Sequence, residues 1–181
     1  MKKLFALAAL ALTVMACGSK QYEYEELVLD YPSIYKVSHE DVDESGAVLT
    51  IDDGISTSMD IIFIEIFKDD PESFEGVDDD LIAHYLIYNA NRIQEIMRPD
   101  EDITFTKVIN DEDDIEIRTT ADGSLEAFGT LEGTLLDDDF HAFVFSKIID
   151  NHYRITAYGQ ASTPSYLKNL EDIYQSIRKK Q

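Results

Sequence analysis

Between Met59 and Phe67 the chain runs Met-Asp-Ile-Ile-Phe-Ile-Glu-Ile-Phe, with only Asp60 and Glu65 interrupting the apolar residues. Successive side chains of a strand point to opposite faces, so Ile62, Ile64 and Ile66 share one face and Ile61, Phe63 and Phe67 the other. A strand apolar on both parities needs cover on both sides, so Met59 to Phe67 is expected to be an interior strand.

Two helical patterns offer that cover. Ile82, Leu86, Asn89, Ile93 and Ile96 recur at helical spacing, with Tyr85 and Met97 alongside, and Arg98-Pro99 ends the run. Asp78, Asp79 and Asp80 stand at its start, where carboxylates suit the positive end of the helix dipole. Thr163 caps Pro164 at a second helix start, and Tyr166, Leu167, Leu170, Ile173, Tyr174 and Ile177 mark one face of that helix. Arg178, Lys179 and Lys180 read as the basic end complementing its dipole.

The remaining runs read as strands: Tyr24 to Tyr31 stopped by Pro32, Tyr35 to Ser38, Ala47 to Asp52, then 103–109, 115–121, 124–136, 140–149 and 152–161. Asp122-Gly123 and Asp150-Asn151 are two-residue turn signals. The expected architecture is α+β: a three-layer α/β/α sandwich, its sheet mostly antiparallel, with one helix on each face.

The chain opens with Lys2 and Lys3, continues from Leu4 to Ala16 with Thr13 as the one polar residue, and reaches Cys17-Gly18-Ser19. These 13 residues are too few for a membrane-spanning helix, which needs roughly 20, and they read as a signal-peptide core. Val14-Met15-Ala16-Cys17 resembles the lipobox of bacterial lipoproteins. The resemblance implies a diacylglyceryl group on the Cys17 sulfur, cleavage between Ala16 and Cys17, and acylation of the new amine. It also implies the outer rather than the inner membrane, because Gly18 and Ser19 do not include the aspartate that retains lipoproteins in enteric-type sorting. The expected organisation is a signal peptide over residues 1–16, a short lipidated tether over 17–22, and a single domain over 23–181.

Loss of Lys2 and Lys3 with residues 1–16 leaves 13 of the 15 basic residues against 37 acidic ones, a formal charge of −24. Phosphate attraction needs Lys/Arg footprints, and no basic stripe exists outside Arg178, Lys179 and Lys180. Nucleic acid and direct contact with anionic headgroups are therefore not expected. One cysteine excludes an intramolecular disulfide, so the fold must rest on packing.

In element order the chain resembles the PsbP/Mog/DcrB superfamily. The residues carrying the likeness are Tyr31-Pro32, the strand Asp60 to Phe67, the helix Leu81 to Met97, the meander ending Tyr153-Arg154-Ile155-Thr156-Ala157, and the final helix ending Tyr174-Gln175-Ser176-Ile177. The resemblance spans nearly all of residues 23 to 178. It implies the α/β/α sandwich and an accessory or interaction role, with no shared catalytic residues.

The residues point to no enzyme chemistry. His39, His84, His141 and His152 lie in no recognised motif. With a two-residue turn at Asp150-Asn151, His141 would face Gln160, some tens of ångströms from His152 at about 3.3 Å per residue. Gly129 and Gly133 mark a bulge or close packing rather than a phosphate loop. The clusters Asp111 to Asp114 and Asp137 to Asp139 lack the EF-hand spacing and read as solvated turns, with divalent cation binding as the sharper alternative. The expectation is a lipid-anchored, non-catalytic accessory or binding protein of the bacterial cell envelope, with no cofactor, no metal and an unidentified protein partner. The alternatives are a calcium-dependent binding module or a small enzyme with an unrecognised site.

Overall fold

The computed structural model describes residues 18–55, 60–68, 79–97, 103–120, 124–150 and 152–180. Residues 1–17, with Ala16 and Cys17, and the expected turn at Asp122-Gly123 lie outside them, as do Asp78, Asn151 and Arg98-Pro99.

Eleven strands occur among the described residues. In chain order they are β1 (Ser19–Tyr24), β2 (Leu27–Pro32), β3 (Lys36–Val42), β4 (Gly46–Asp52), β5 (Ile61–Lys68), β6 (Ile103–Lys107), β7 (Ile115–Thr119), β8 (Leu125–Leu135), β9 (Asp138–Ile149), β10 (Tyr153–Ala161) and β11 (Arg178–Lys179). Helix α1 spans Asp79–Met97 and α2 spans Pro164–Gln175. Eight strands form one antiparallel sheet in the order β3-β4-β5-β10-β9-β8-β6, with β7 also pairing β8. The long strand β8 carries both partners on one edge: β7 pairs its first half and β6 its second. A smaller sheet has the order β1-β2-β11.

The alternation of β5 and β9 divides the core in two. Ile62, Ile64 and Ile66 of β5 join Phe143 and Phe145 of β9 in one cluster with Leu170, Ile173 and Tyr174 of α2 and Leu27 and Leu29 of β2. The opposite parity of β9, Ala142, Val144 and Ile148, packs with Ile82, Leu86 and Ala90 of α1. Helix α2 starts where the Thr163 hydroxyl accepts the Tyr166 amide (3.4 Å) with Pro164 in the first turn, as the residues predict. It ends at Ser176, whose Oγ accepts the Asp30 amide at 2.8 Å and so docks the helix end on β2.

The fold class is a correction to the sequence reading. Strands make up more than half of the described residues, and the fold is mostly β with two antiparallel sheets, rather than an α/β/α sandwich with a helix layer on each face. Two features account for the difference. The layer on the Ile62–Ile64–Ile66 side is α2 together with the three-stranded sheet, built partly from residues 19–22, expected to be tether. On the other side α1 packs on β7, β8 and β9, and the β4–β5 half of the sheet stays open. Hence β5 is buried on one parity alone: Ile64 is 0% exposed, whereas Phe63 is 41% exposed.

Smaller differences have local causes. The run Tyr24 to Tyr31 is broken by a hairpin turn: Glu25, at φ 48°, turns the chain between Tyr24, the last residue of β1, and Leu27, the first of β2. Arg178 and Lys179 lie beyond α2 and pair with β2, so they form no helix end. The β9–β10 connection is one residue longer than expected: Ile149 pairs Tyr153, and His141 faces Ala161 instead of Gln160. Between β8 and β9, Leu136 (φ 53°) and Asp137 (φ 68°) make the two-residue turn, and Asp138 and Asp139 already belong to β9.

Candidate functional site

The open half of the large sheet presents one parity of three neighbouring strands to the flank of α1. Strand β10 contributes Arg154, Thr156, Tyr158 and Gln160; they face Phe67, Glu65, Phe63 and Ile61 of β5 across the ladder. Val48 of β4 lies opposite Glu65. Above this floor α1 carries Tyr85, Asn89, Arg92 and Ile93 along one side. Ile82, Leu86 and Ala90 draw α1 down onto β8 and β9, and the gap left beside it is a groove of about 400 Å³.

The floor is mainly apolar. Phe63 and Tyr158 stack with ring centroids 6.4 Å apart, and Val144 lies next to Tyr158 across the ladder. The Tyr158 hydroxyl donates to Gln160 Oε1 at 2.7 Å, and burial raises its pKa well above the ordinary phenol value. The phenol is therefore a neutral hydrogen-bonding group at any physiological pH. The polar members lie toward the other end. Thr156 Oγ1 donates to Glu65 Oε2 at 3.3 Å, and Arg92 Nη1 stands 3.8 Å from the same oxygen. Next to them the Arg154 guanidinium is held between the Phe67 and Tyr85 rings, 4.8 and 4.9 Å from their centroids.

The four histidines are dispersed over the fold. His39 pairs Thr50 across β3 and β4, and His84 is exposed on α1. His141 faces Glu132 and Ala161, and His152 packs its ring edgewise on Tyr153 beyond the far end of β10. The acidic clusters have local structural roles. Asp111 Oδ1 accepts the Asp113 amide (3.0 Å) and Asp114 Oδ2 accepts the Asn110 amide (2.9 Å), which folds Glu112–Asp114 into a single capped 3-10 turn. Asp137 to Asp139 are divided between a turn and a strand. Among the described residues no three His, Cys, Asp or Glu side chains converge where they could hold one metal ion. Gly129 and Gly133 are close-packing positions: a Cβ would stand 2.5 Å from the Ile109 side chain at the first and 2.4 Å from the Thr104 carbonyl at the second.

The sequence reading did not identify the groove. Its signal was present in the Met59 to Phe67 run, because Glu65 falls on the same parity as Phe63. Strand β10 repeats the sign with Arg154, Thr156 and Gln160 on one parity. Of that face Thr156, Tyr158 and Gln160 are buried beside α1, and the open part lies at Val48 and Phe63 on β4 and β5.

No protein-family model matches the chain, and neither does any curated protein sequence. Among solved structures, one protein from Bacteroides thetaiotaomicron is similar over 90% of this chain and 48% of its own, at 9% identity and a TM-score of 0.47. A Pseudomonas aeruginosa protein of unknown function is similar over 87% of this chain and 91% of its own, at 13% identity and a TM-score of 0.35. The chain spans about half the length of the first of these.

Proposed function

We propose that this chain is a lipid-anchored, non-catalytic binding protein of the bacterial cell envelope, held by acyl chains on Cys17, with the outer membrane as its site and the groove beside α1 as its binding surface. The observation that carries the reading is how closely the fold follows the anchor cysteine. The Gly18 carbonyl already accepts the Ser33 amide at 2.8 Å, and β1 begins at Ser19. A domain that starts two residues after Cys17 rides directly on the membrane surface, and several acyl chains at about 0.8 kcal/mol per buried CH₂ hold it there durably.

The groove supports the binding half of the reading. It is concave and mostly apolar with a few polar groups at one end, and its volume lies within the range of roughly 300 to 1,000 Å³ common to ligand sites. Its carboxylate, Glu65, is engaged by Thr156 and Arg92, and its phenol, Tyr158, stays protonated. Neither is set up as a nucleophile or base.

Metabolic labelling with a radioactive fatty acid tests the anchor. The wild-type chain should take up label and sediment with the envelope, and Cys17→Ser, which has no thiolate to receive the diacylglyceryl group, should remain unlabelled. Equal labelling of both would overturn the reading.

A further inference from the structure

We propose that the groove takes a small amphipathic carboxylic acid, with its apolar body on Val48, Phe63 and Tyr158 and its carboxylate on Arg92 and Asn89. The inference rests on the reading of the groove as a binding surface and adds the class of ligand. Size sets the first limit. At about 30 Å³ for each water-sized group, a space of 400 Å³ admits roughly a dozen non-hydrogen atoms, which suits an aliphatic or aromatic acid of about ten carbons.

The lining sets the second limit. Phe63 and Val48 are 41% and 37% exposed, so apolar surface stands open to water on the floor. A chain laid there would remove that surface from water at about 25 cal/mol per Å².

Charge sets the third. Asn89 and Arg92 are three residues apart on α1 and therefore neighbours on its flank. Among the described residues the Arg92 guanidinium has one ion-pair partner, Glu65 at 3.8 Å, beyond hydrogen-bond range. The guanidinium thus balances the Glu65 charge while its own N–H donors remain open, and the Asn89 side-chain amide makes no hydrogen bond within the described residues. A planar fork of donors matches one carboxylate. A second negative charge on the ligand would meet Glu65, so a monoanion is the fitting head group. Glu65 itself offers little to a cationic head, because it already accepts from Thr156 and faces Arg92.

The test uses isolated envelopes carrying the full chain and three photoreactive ten-carbon probes, an acid, an alcohol and an amine, with attachment sites mapped by mass spectrometry. The acid should label peptides containing Phe63 and Tyr158, be displaced by excess decanoate, and exceed the other two. A charge-assisted hydrogen bond implies that Arg92→Gln lowers labelling by the acid about tenfold or more, with the alcohol unchanged. Arg92→Lys, which keeps the charge, should recover part of the loss. A fall in alcohol labelling to match would instead reveal a damaged fold and overturn the role assigned to Arg92. Equal labelling by all three probes, or acid labelling indifferent to Arg92→Gln, would overturn the acid class and leave a general apolar groove. Labelling of these peptides by none of the probes would overturn the binding surface as well.

Discussion

Glu25 joins the two sheets through a single carboxylate. It sits in the β1–β2 turn and accepts Lys68 Nζ of β5 at 2.8 Å and the Tyr153 hydroxyl of β10 at 2.9 Å. The Lys68 hydrogen bond, then that from Tyr153, holds its carboxyl below the usual carboxylate range. Burial, then the same bond to Glu25, pushes the Tyr153 phenol up to about 12. Asp30 is lowered in the same direction by Arg178 and then by Gln21. A carboxyl whose pKa is depressed in the folded state stabilises the fold fully above its unfolded value, about 4.3 for Glu, and loses that contribution as the pH falls through the lower folded value. Glu25→Gln should therefore lower the melting temperature at pH 7 by roughly a few degrees at most, because the pair is partly exposed. The gap from wild type should close as the buffer is taken below about pH 4. A melting series from pH 7 to pH 3 on both proteins checks this, and a gap that persists unchanged at pH 3 would count against it.

At the scale of elements, long periodic runs were legible and short pairings were not. Helix α2 follows its Thr163-Pro164 start and its apolar stripe, and β8, β9 and β10 fall on the long runs expected for them, with β9 and β10 buried on both parities. The hairpin at Glu25 was hidden because Glu25-Glu26 carries none of the Gly, Asn or Asp that usually signals positive φ. Arg178 to Lys180 suited a helix end by composition, but the chain leaves α2 at Ser176 and these residues pair outward instead. Arg178 meets Asp30 at 2.6 Å, Lys179 meets Glu26 at 3.1 Å and also Asp150, and Lys180 meets Glu23 at 2.7 Å. Four acids of a strongly acidic chain thus take three of its few cations, which pin the third strand of the small sheet. Ending the chain after Ile177 keeps that buried side chain and removes β11. Hydrogen exchange should then speed up about tenfold at the amide of Val28, which faces β11, by the loss of roughly one net hydrogen bond, with little change in β9. Unchanged protection in β2 would mean that β11 does not support it.

For the molecule as a whole, the doubly apolar run from Met59 to Phe67 suggested a strand covered on both sides, and from that came the three-layer sandwich implied by the PsbP/Mog/DcrB resemblance. Hydrophobicity along one strand does not reveal how far a distant helix reaches, and α1 stops over β7, β8 and β9. The uncovered parity became the groove floor, with Val48, Phe63 and Glu65 on the sheet and α1 alongside. The candidate site was therefore legible only as an inconsistency, Glu65 and the polar parity of β10 among apolar neighbours. Its openness can be measured directly, because the chain contains no tryptophan. Phe63→Trp, in the full chain held in a lipid nanodisc, supplies one emitter at the centre of the groove floor. Acrylamide should quench it readily without ligand, since Phe63 is 41% exposed, and decanoate should shield it. Emission that is shielded from acrylamide before any ligand is added would mean that this face of β5 is closed core, contrary to the open groove.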